Sequence, residues 1–264
     1  MAMLRDLLDG DWRERLAEPG WPTGLQDLDS LTGGIRRPGL WLLLATPGAG
    51  RTVLACQFAR NAAVAGEASV ALISGHERSE AVLSNLVCGQ SRLPAHHLHE
   101  GSLTDADLGR LAGARQELGD VRLRVLTIHD DAWHFAESTS TRDVNHLIGG
   151  PAPADLVVVD DVDLLLDGPL VGALPHLRDW CHRSGFALVL TAPEEGLVGP
   201  EGRVLASVRR DADVLLRLSR EDQFERESPR AGEASLEVLA HRGGPTAVML
   251  LAFQGQYRRF TCCP

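Results

Sequence analysis

Residues 45–52 read ATPGAGRT and stand between the aliphatic run Leu42–Leu44 and a helix-like segment. The spacing is close to G-x-x-x-x-G-K-[ST], the pattern of a phosphate-binding loop. Such a loop needs backbone N–H groups that converge on phosphate oxygens, a helix N-terminus whose dipole points at them, and a hydroxyl for Mg²⁺. Gly48 and Gly50 permit the tight curvature, Thr52 supplies the hydroxyl, and a helix starting near Arg51 supplies the dipole. Two positions depart from the pattern: Ala45 stands for the first Gly and Arg51 for the Lys. Arg keeps the charge but carries a planar fork in place of a compact ammonium, so the fit around a terminal phosphate is worse. The sequence contains no lysine, and all 26 of its Lys/Arg positions are Arg. Arg51 therefore reads in two ways, as one instance of a chain-wide replacement or as a weakened phosphate grip.

A second stretch, ADLVVVDDVDLLL (154–166), is an aliphatic strand that ends in acids. An acid there can hold the Mg²⁺ shell in a nucleotide-hydrolysing fold, and ligands of open α/β sheets bind at the carboxyl ends of strands. Asp160 is the candidate; Asp161 and Asp163 are expected to point elsewhere, as alternating or loop positions.

These residues must be positioned by elements that alternate along the chain. Residues 1–20 read as a short amphipathic helix closed by Glu18-Pro19-Gly20, a possible linker or docking element. Residues 21–264 read as one α/β domain. Its strands are expected at 40–45, 68–74, 123–128, 155–160, 186–192, 212–219, 234–241 and 247–253, and its helices at 51–65, 78–89, 104–117, 139–148 and 170–184. Candidate loops are 193–206 and 219–233. The early strands are continuous aliphatic runs, which suits a sheet covered on both faces. The last two flank the turn RGGPT and read as an antiparallel hairpin. The expected fold is α/β: a mostly parallel sheet with helices on both faces and a C-terminal antiparallel hairpin.

Composition narrows the function classes. The chain of 264 residues is 44% hydrophobic and 23% charged, ordinary for a globular protein. No apolar run reaches the ~18 residues of a membrane span, and the first 20 residues mix acids and bases where a signal peptide needs an apolar core. A cytoplasmic location is expected. The net charge of −10 argues against coating nucleic acid with the whole surface, while leaving room for a local basic channel. Five Cys show no metal-ligand spacing and read as incidental thiols, and HHLH (96–99) reads as a solvated helix end.

Several segments together resemble one known family. PTGLQDLDSLTGG (22–34), ATPGAGRTVLACQFARNAA (45–63), GSLTDADLGRLAGA (101–114), DLVVVDDVDLLL and above all AHRGGPTAVMLLAFQGQYRRF (240–260) are similar to the C-terminal RecA-like motor domain of DnaB-type replicative helicases. The match runs over nearly the whole chain, without the family's N-terminal helical domain. In that family an Ala at the first loop position is common. The resemblance implies a RecA-like P-loop fold, ATP and Mg²⁺ as cofactors, nucleotide contacts from Thr46, Pro47, Gly48, Ala49, Gly50, Arg51, Thr52 and Val53, and a metal shell of Thr52 and Asp160. It implies a homo-oligomeric ring such as a hexamer, with single-stranded DNA in its central channel. It implies Arg242 as an arginine finger reaching the neighbouring subunit's γ-phosphate. The family's catalytic Glu aligns with His76, with Glu77 one residue later. Other family positions are changed: a basic residue falls on Ala240, a coupling Gln on Ala192, and the loop expected to touch DNA begins Glu194-Glu195. Arg203, Arg209 and Arg210 are candidate compensating charges. Two functions follow: an ATP-dependent helicase or translocase motor with impaired catalysis, or a degenerate, non-hydrolysing paralogue acting through protein contacts.

Overall fold

A computed structural model describes residues 19–129, 154–166, 168–195, 197, 206–225 and 228–263. The helix expected in residues 1–20 falls almost wholly outside them, and that at 139–148 entirely so. In chain order the elements are α1 (Gln26–Thr32), β1 (Gly39–Ala45), α2 (Arg51–Val64), β2 (Val70–Ser74), α3 (Ser79–Ser91), α4 (Ala95–Glu100), α5 (Asp105–Gly119), β3 (Leu123–Thr127) and β4 (Leu156–Asp160). A 3₁₀ turn (Val162–Leu165) follows, then α6 (Leu170–Ser184), β5 (Ala187–Pro193), α7 (Ala206–Asp211), β6 (Val214–Ser219), β7 (Glu233–His241), β8 (Ala247–Gln254) and β9 (Arg259–Cys262).

Nine strands form one sheet in the order β3-β2-β4-β5-β1-β6-β7-β8-β9. β3 to β6 pair in parallel. The three C-terminal strands pair antiparallel. The expected strands and the closing hairpin are present. β9 is an addition to them, because Arg258-Arg259 and Cys262-Cys263 hide a four-residue strand. Three short helices, α1, α4 and α7, are additions too, being too short to show a period. α7 begins where the candidate loop 193–206 ends.

β1 explains the two-layer core. All seven of its residues are buried. Trp41, Leu43 and Ala45 face a layer built with α2. Leu40, Leu42 and Leu44 face the other layer, with Leu174, Leu177 and Trp180 of α6. Strict alternation into two apolar layers is what a sheet covered on both faces requires. α2 is buried nearly all round, and Leu54, Ala55, Phe58, Ala59 and Ala62 are among its buried residues. Its apolar character on every side fits that central place.

The C-terminal strand is tied back to α2. Gln57 donates from Nε2 to the carbonyl of Phe260 at 3.1 Å and accepts from the Phe260 N–H at 2.8 Å. Both partners are buried, and a buried amide group left unpaired costs about 1–3 kcal/mol. Gln57→Ala is expected to lower stability by about 3 kcal/mol, seen as a lower urea midpoint with an unchanged denaturant slope.

Candidate nucleotide site

The phosphate loop leaves the end of β1 and turns into α2. Ala45 is the last residue of the strand, paired with Pro193 on one side and Leu218 on the other. Its backbone is extended, so the position has no need of glycine. The special conformations fall later, at Gly48 (φ +84°) and Gly50 (φ +100°). A Cβ on Gly50 would stand 2.7 Å from the ring of Phe260, so side-chain crowding and backbone together demand glycine there. Gly50 caps α2, and no side chain caps the N–H groups that follow. These amides and the helix dipole are the elements of an anion cradle. Pro47 and Gly48 are exposed, Ala49 and Val53 are buried, and Thr46, Gly50, Arg51 and Thr52 are half-buried.

β4 lies two strands from β1, with β5 between them. Its last residue, Asp160, is buried at 1% exposure. Asp160 Oδ1 accepts the Thr191 hydroxyl of β5 at 2.6 Å. Thr52, in the first turn of α2, lies near enough to help hold the same carboxyl down. Burial, then the neighbouring Asp161, push the Asp160 carboxyl up to about 6; Thr191, Thr52 and Arg51 oppose the rise. Asp160 Oδ2 is buried and has no partner among the described residues. A hydroxyl and a carboxylate oxygen with unused lone pairs are hard oxygen donors, the set that suits Mg²⁺. Thr52 and Asp160, expected to share a metal, lie near each other at this end of the sheet.

Asp161 departs from expectation. Strand alternation predicts that it points away; instead it is buried and pairs with Arg51. The cause is its backbone, at φ +56° and ψ +54°. This left-handed turn breaks the strand's alternation, so two successive carboxylates enter the same sheet end. The Asp161 N–H donates to Thr191 Oγ1 at 3.0 Å, so one hydroxyl serves both acids. Arg51 also reaches the Ala45 carbonyl at 3.4 Å, and its Nε is buried without a partner among the described residues. Its guanidinium is therefore committed to Asp161 at the base of the loop. Asp163 keeps to a turn position, and its carboxyl is raised chiefly by burial.

Two side chains that sequence reasoning missed complete the site. Thr191 is the first. The second is Gln223, from the β6–β7 connection, which donates to Thr46 Oγ1 at 2.8 Å. Its Oε1 lies 3.1 Å from where a Cβ on Gly48 would stand, so it covers the loop's outer turn. Asp222 beside it accepts from Arg220, which stacks on Phe253 at 3.8 Å from the ring centroid. Phe253 in turn packs on Phe260, the ring beneath Gly50.

β2 brings the remaining candidates close. Ser74 pairs with Asp160, and the Gly75 N–H donates to the Asp160 carbonyl at 2.9 Å. His76 is exposed, and its carbonyl contacts His129 at 3.1 Å. Glu77 is half-buried, with its N–H on Ser74 Oγ. The buried Cys56 thiol is raised first by its burial and then by the charge of Asp160.

Arg242 lies elsewhere. It follows β7 and donates to Asp213 Oδ1 at 2.8 Å and to the Arg210 carbonyl at 2.7 Å. Asp213 also accepts the Leu40 N–H, at the start of β1, so Arg242 stands a strand's length (about 17 Å) from the phosphate loop. It cannot serve its own chain's loop. Burial works against the charge of Asp213, but the Leu40 N–H, His182 and Arg178 hold its carboxyl low. Ala192 is buried in β5, Glu194 donates its N–H to the Ala45 carbonyl, and Glu195 is exposed. Arg209 bonds the Leu239 carbonyl, Arg210 pairs with Asp211, and Arg203 lies outside the described residues. His97 of α4 pairs with Asp107, and among the described residues no His/Cys/Asp/Glu group could hold a metal on its own. The described Cys are all free, and no described helix is long and apolar enough to cross a membrane.

A phosphate loop on the central strand, an acid-ended strand two places away and an antiparallel closing edge define the RecA-like ATPase-domain fold. The DnaB-like helicase C terminal domain family matches residues 20–169, more than half of the chain, and the chain belongs to that family. It is 29% identical over 261 residues to the replicative DNA helicase DnaB of Leifsonia xyli subsp. xyli (strain CTCB07), covering 91% of this chain and 55% of that protein. It is 24% identical over 263 residues to the replicative DNA helicase DnaC of Bacillus subtilis (strain 168), covering 91% and 56%. The chain thus spans about half the length of the curated relatives it matches. A solved structure of an isolated ATPase domain superposes with a TM-score of 0.80 at 20% identity, covering 100% of both chains. A DnaB-like replicative helicase, solved for its interactions with primase, superposes at 0.79 with 20% identity, covering 99% of this chain and 69% of that one.

The Arg51–Asp161 pair is nearly buried, at 15% and 9% side-chain exposure. Removing one partner of a buried pair costs about 3–5 kcal/mol. Asp161→Asn is expected to lower stability by about 3 kcal/mol and to free Arg51 for phosphate, tightening a fluorescent ATP analogue about tenfold in equilibrium titration.

Proposed function

We propose that this chain is an ATP-binding motor domain of the replicative-helicase type whose catalysis is impaired. The observation that carries the reading is the grouping of Thr52, Asp160 and Thr191 beneath an intact glycine turn. Backbone N–H groups from Gly48 to Val53 would hold the phosphates, and Thr52 with Asp160 would hold Mg²⁺, which supplies charge neutralisation when bound. Glu77, whose N–H bonds the Ser74 that pairs with Asp160, is better placed than the exposed His76 to take a proton from an attacking water. Arg242 serves a neighbouring subunit's phosphates across a ring interface, after leaving Asp213. Single-stranded DNA in the channel of such a ring is the corresponding track. A cytoplasmic location accords with this role.

The impairment rests on Arg51. A loop Lys would reach the β- and γ-phosphates, whereas this guanidinium is held by Asp161. Transition-state charge stabilisation is most of what a protein contributes to phosphoryl transfer. The second reading, a non-hydrolysing paralogue acting through protein contacts, draws on the same pair and on Gln223 lying over Thr46.

Steady-state ATP hydrolysis with Mg²⁺, with and without single-stranded DNA, separates the two. The motor reading expects slow, DNA-stimulated turnover; binding of an ATP analogue with no turnover favours the paralogue. Arg51→Lys is expected to raise kcat/KM by about tenfold, or about 1.4 kcal/mol of barrier. Solution mass tests the ring, since Arg242 acts only between subunits.

A further inference from the structure

One cluster of charge has no part in the nucleotide site. Arg60 lies on α2 nine residues after Arg51, about 13 Å along the axis and on the opposite side of the helix. It is 5% exposed, and its Nε and Nη1 have no hydrogen-bond partner among the described residues. Its head packs on α3 at Gly89, where a Cβ would collide with Nη1 and stand 3.2 Å from the Arg258 carbonyl. Only glycine leaves room for it. Arg92, exposed, caps the end of α3 three residues later. Arg258 precedes β9, and its Nε is also buried without a partner among the described residues. Arg259, half-buried, spends its Nε on Gln254 at 2.7 Å.

These cations feel one another. Burial first, then Arg92, lower the Arg259 pKa. Burial likewise lowers that of Arg60 to about 10, and Arg259 adds to the fall. None of the four is in an ion pair with a carboxylate among the described residues, in a chain of net charge −10. An unpaired buried guanidinium costs several kcal/mol, and arginine does not escape by shedding its proton. The carbonyl end of α3 offers a partial negative charge, yet the Nε and Nη1 of Arg60 bond none of those carbonyls. What the cluster lacks is an anion.

We infer that Arg60, Arg92, Arg258 and Arg259 form a second anion site, separate from the phosphate loop, that takes a phosphate group of a small polyanion or of a nucleic-acid backbone. Guanidinium forks match phosphate oxygens two at a time, and a multiply charged phosphate would neutralise the set. Arg60 is the buried member of the set and Arg92 the exposed one.

Inorganic pyrophosphate without Mg²⁺ is the probe, and the thermal midpoint is the readout. At about ten times its Kd it should raise the midpoint of the parent chain by about 3 °C. The shift should persist in Thr52→Ala, which alters the phosphate loop, and shrink to what the loop alone contributes in Arg60→Met and in Arg259→Gln. Arg60→Met should also be more stable than the parent in phosphate-free buffer, because it removes an unpaired buried charge. If Arg60→Met does not fold, the variant of the half-buried Arg259, Arg259→Gln, carries the test. No shift in the parent overturns the proposal, as does a shift lost in Thr52→Ala or kept in full in Arg259→Gln. A poly-dT oligonucleotide that displaces pyrophosphate from Thr52→Ala assigns the site to nucleic-acid phosphates; failure to displace assigns it to free small phosphates.

Discussion

Two adjacent carboxylates are buried at the end of one strand, and the site is arranged around keeping both. Asp160 and Asp161 repel each other, and burial penalises each charge. The fold separates their partners. Asp160 receives the Thr191 hydroxyl and keeps one oxygen without a partner among the described residues, while Asp161 is turned by a left-handed backbone to the Arg51 guanidinium. Thr191 links them, donating to one acid and accepting from the backbone of the other. Its place on β5, between β1 and β4, follows from the strand order. The parallel sheet is thus what makes the acid pair possible.

The same pair sets the character of the phosphate loop. The glycine turn, the helix N-terminus and Thr52 are those of a working loop. The Arg51 cation at its base is already engaged by Asp161. A compact ammonium would have left Asp161 less well served and the phosphates better served. The loop is held from the far side too, by Phe260 under Gly50, by Phe253 on Phe260 and by Arg220 on Phe253, while Gln57 fixes the backbone of Phe260. The closing hairpin is the wall of the loop as well as the edge of the sheet.

Much of this is legible in the sequence, for physical reasons. The aliphatic strands alternate between two buried layers, so their runs stand out, and α6 begins and ends where its pattern does. Thr52 and Asp160 are readable because a hydroxyl at the start of a helix after a glycine turn and an acid at a strand end are the types that Mg²⁺ chemistry would use. Asp161 is not, since the two-residue period of a strand sends neighbours to opposite faces and nothing in the letters announces a positive φ. Gln223 and Thr191 are equally hidden: one meets Thr46 across 177 residues and the other meets Asp160 across 31, contacts that exist only once the sheet is assembled. Arg60 sits in a helix stretch where a charged residue suggests contact with water, yet it packs against Gly89.

The division of labour between the two acids is tested most directly by a crystal structure with Mg²⁺ and a non-hydrolysable ATP analogue. The metal is expected at the Thr52 hydroxyl on the Asp160 side, with the phosphates on the Gly48–Val53 amides and Arg51 still on Asp161. A metal bound by Asp161, or an Arg51 that has left it to grip the γ-phosphate, would contradict the account.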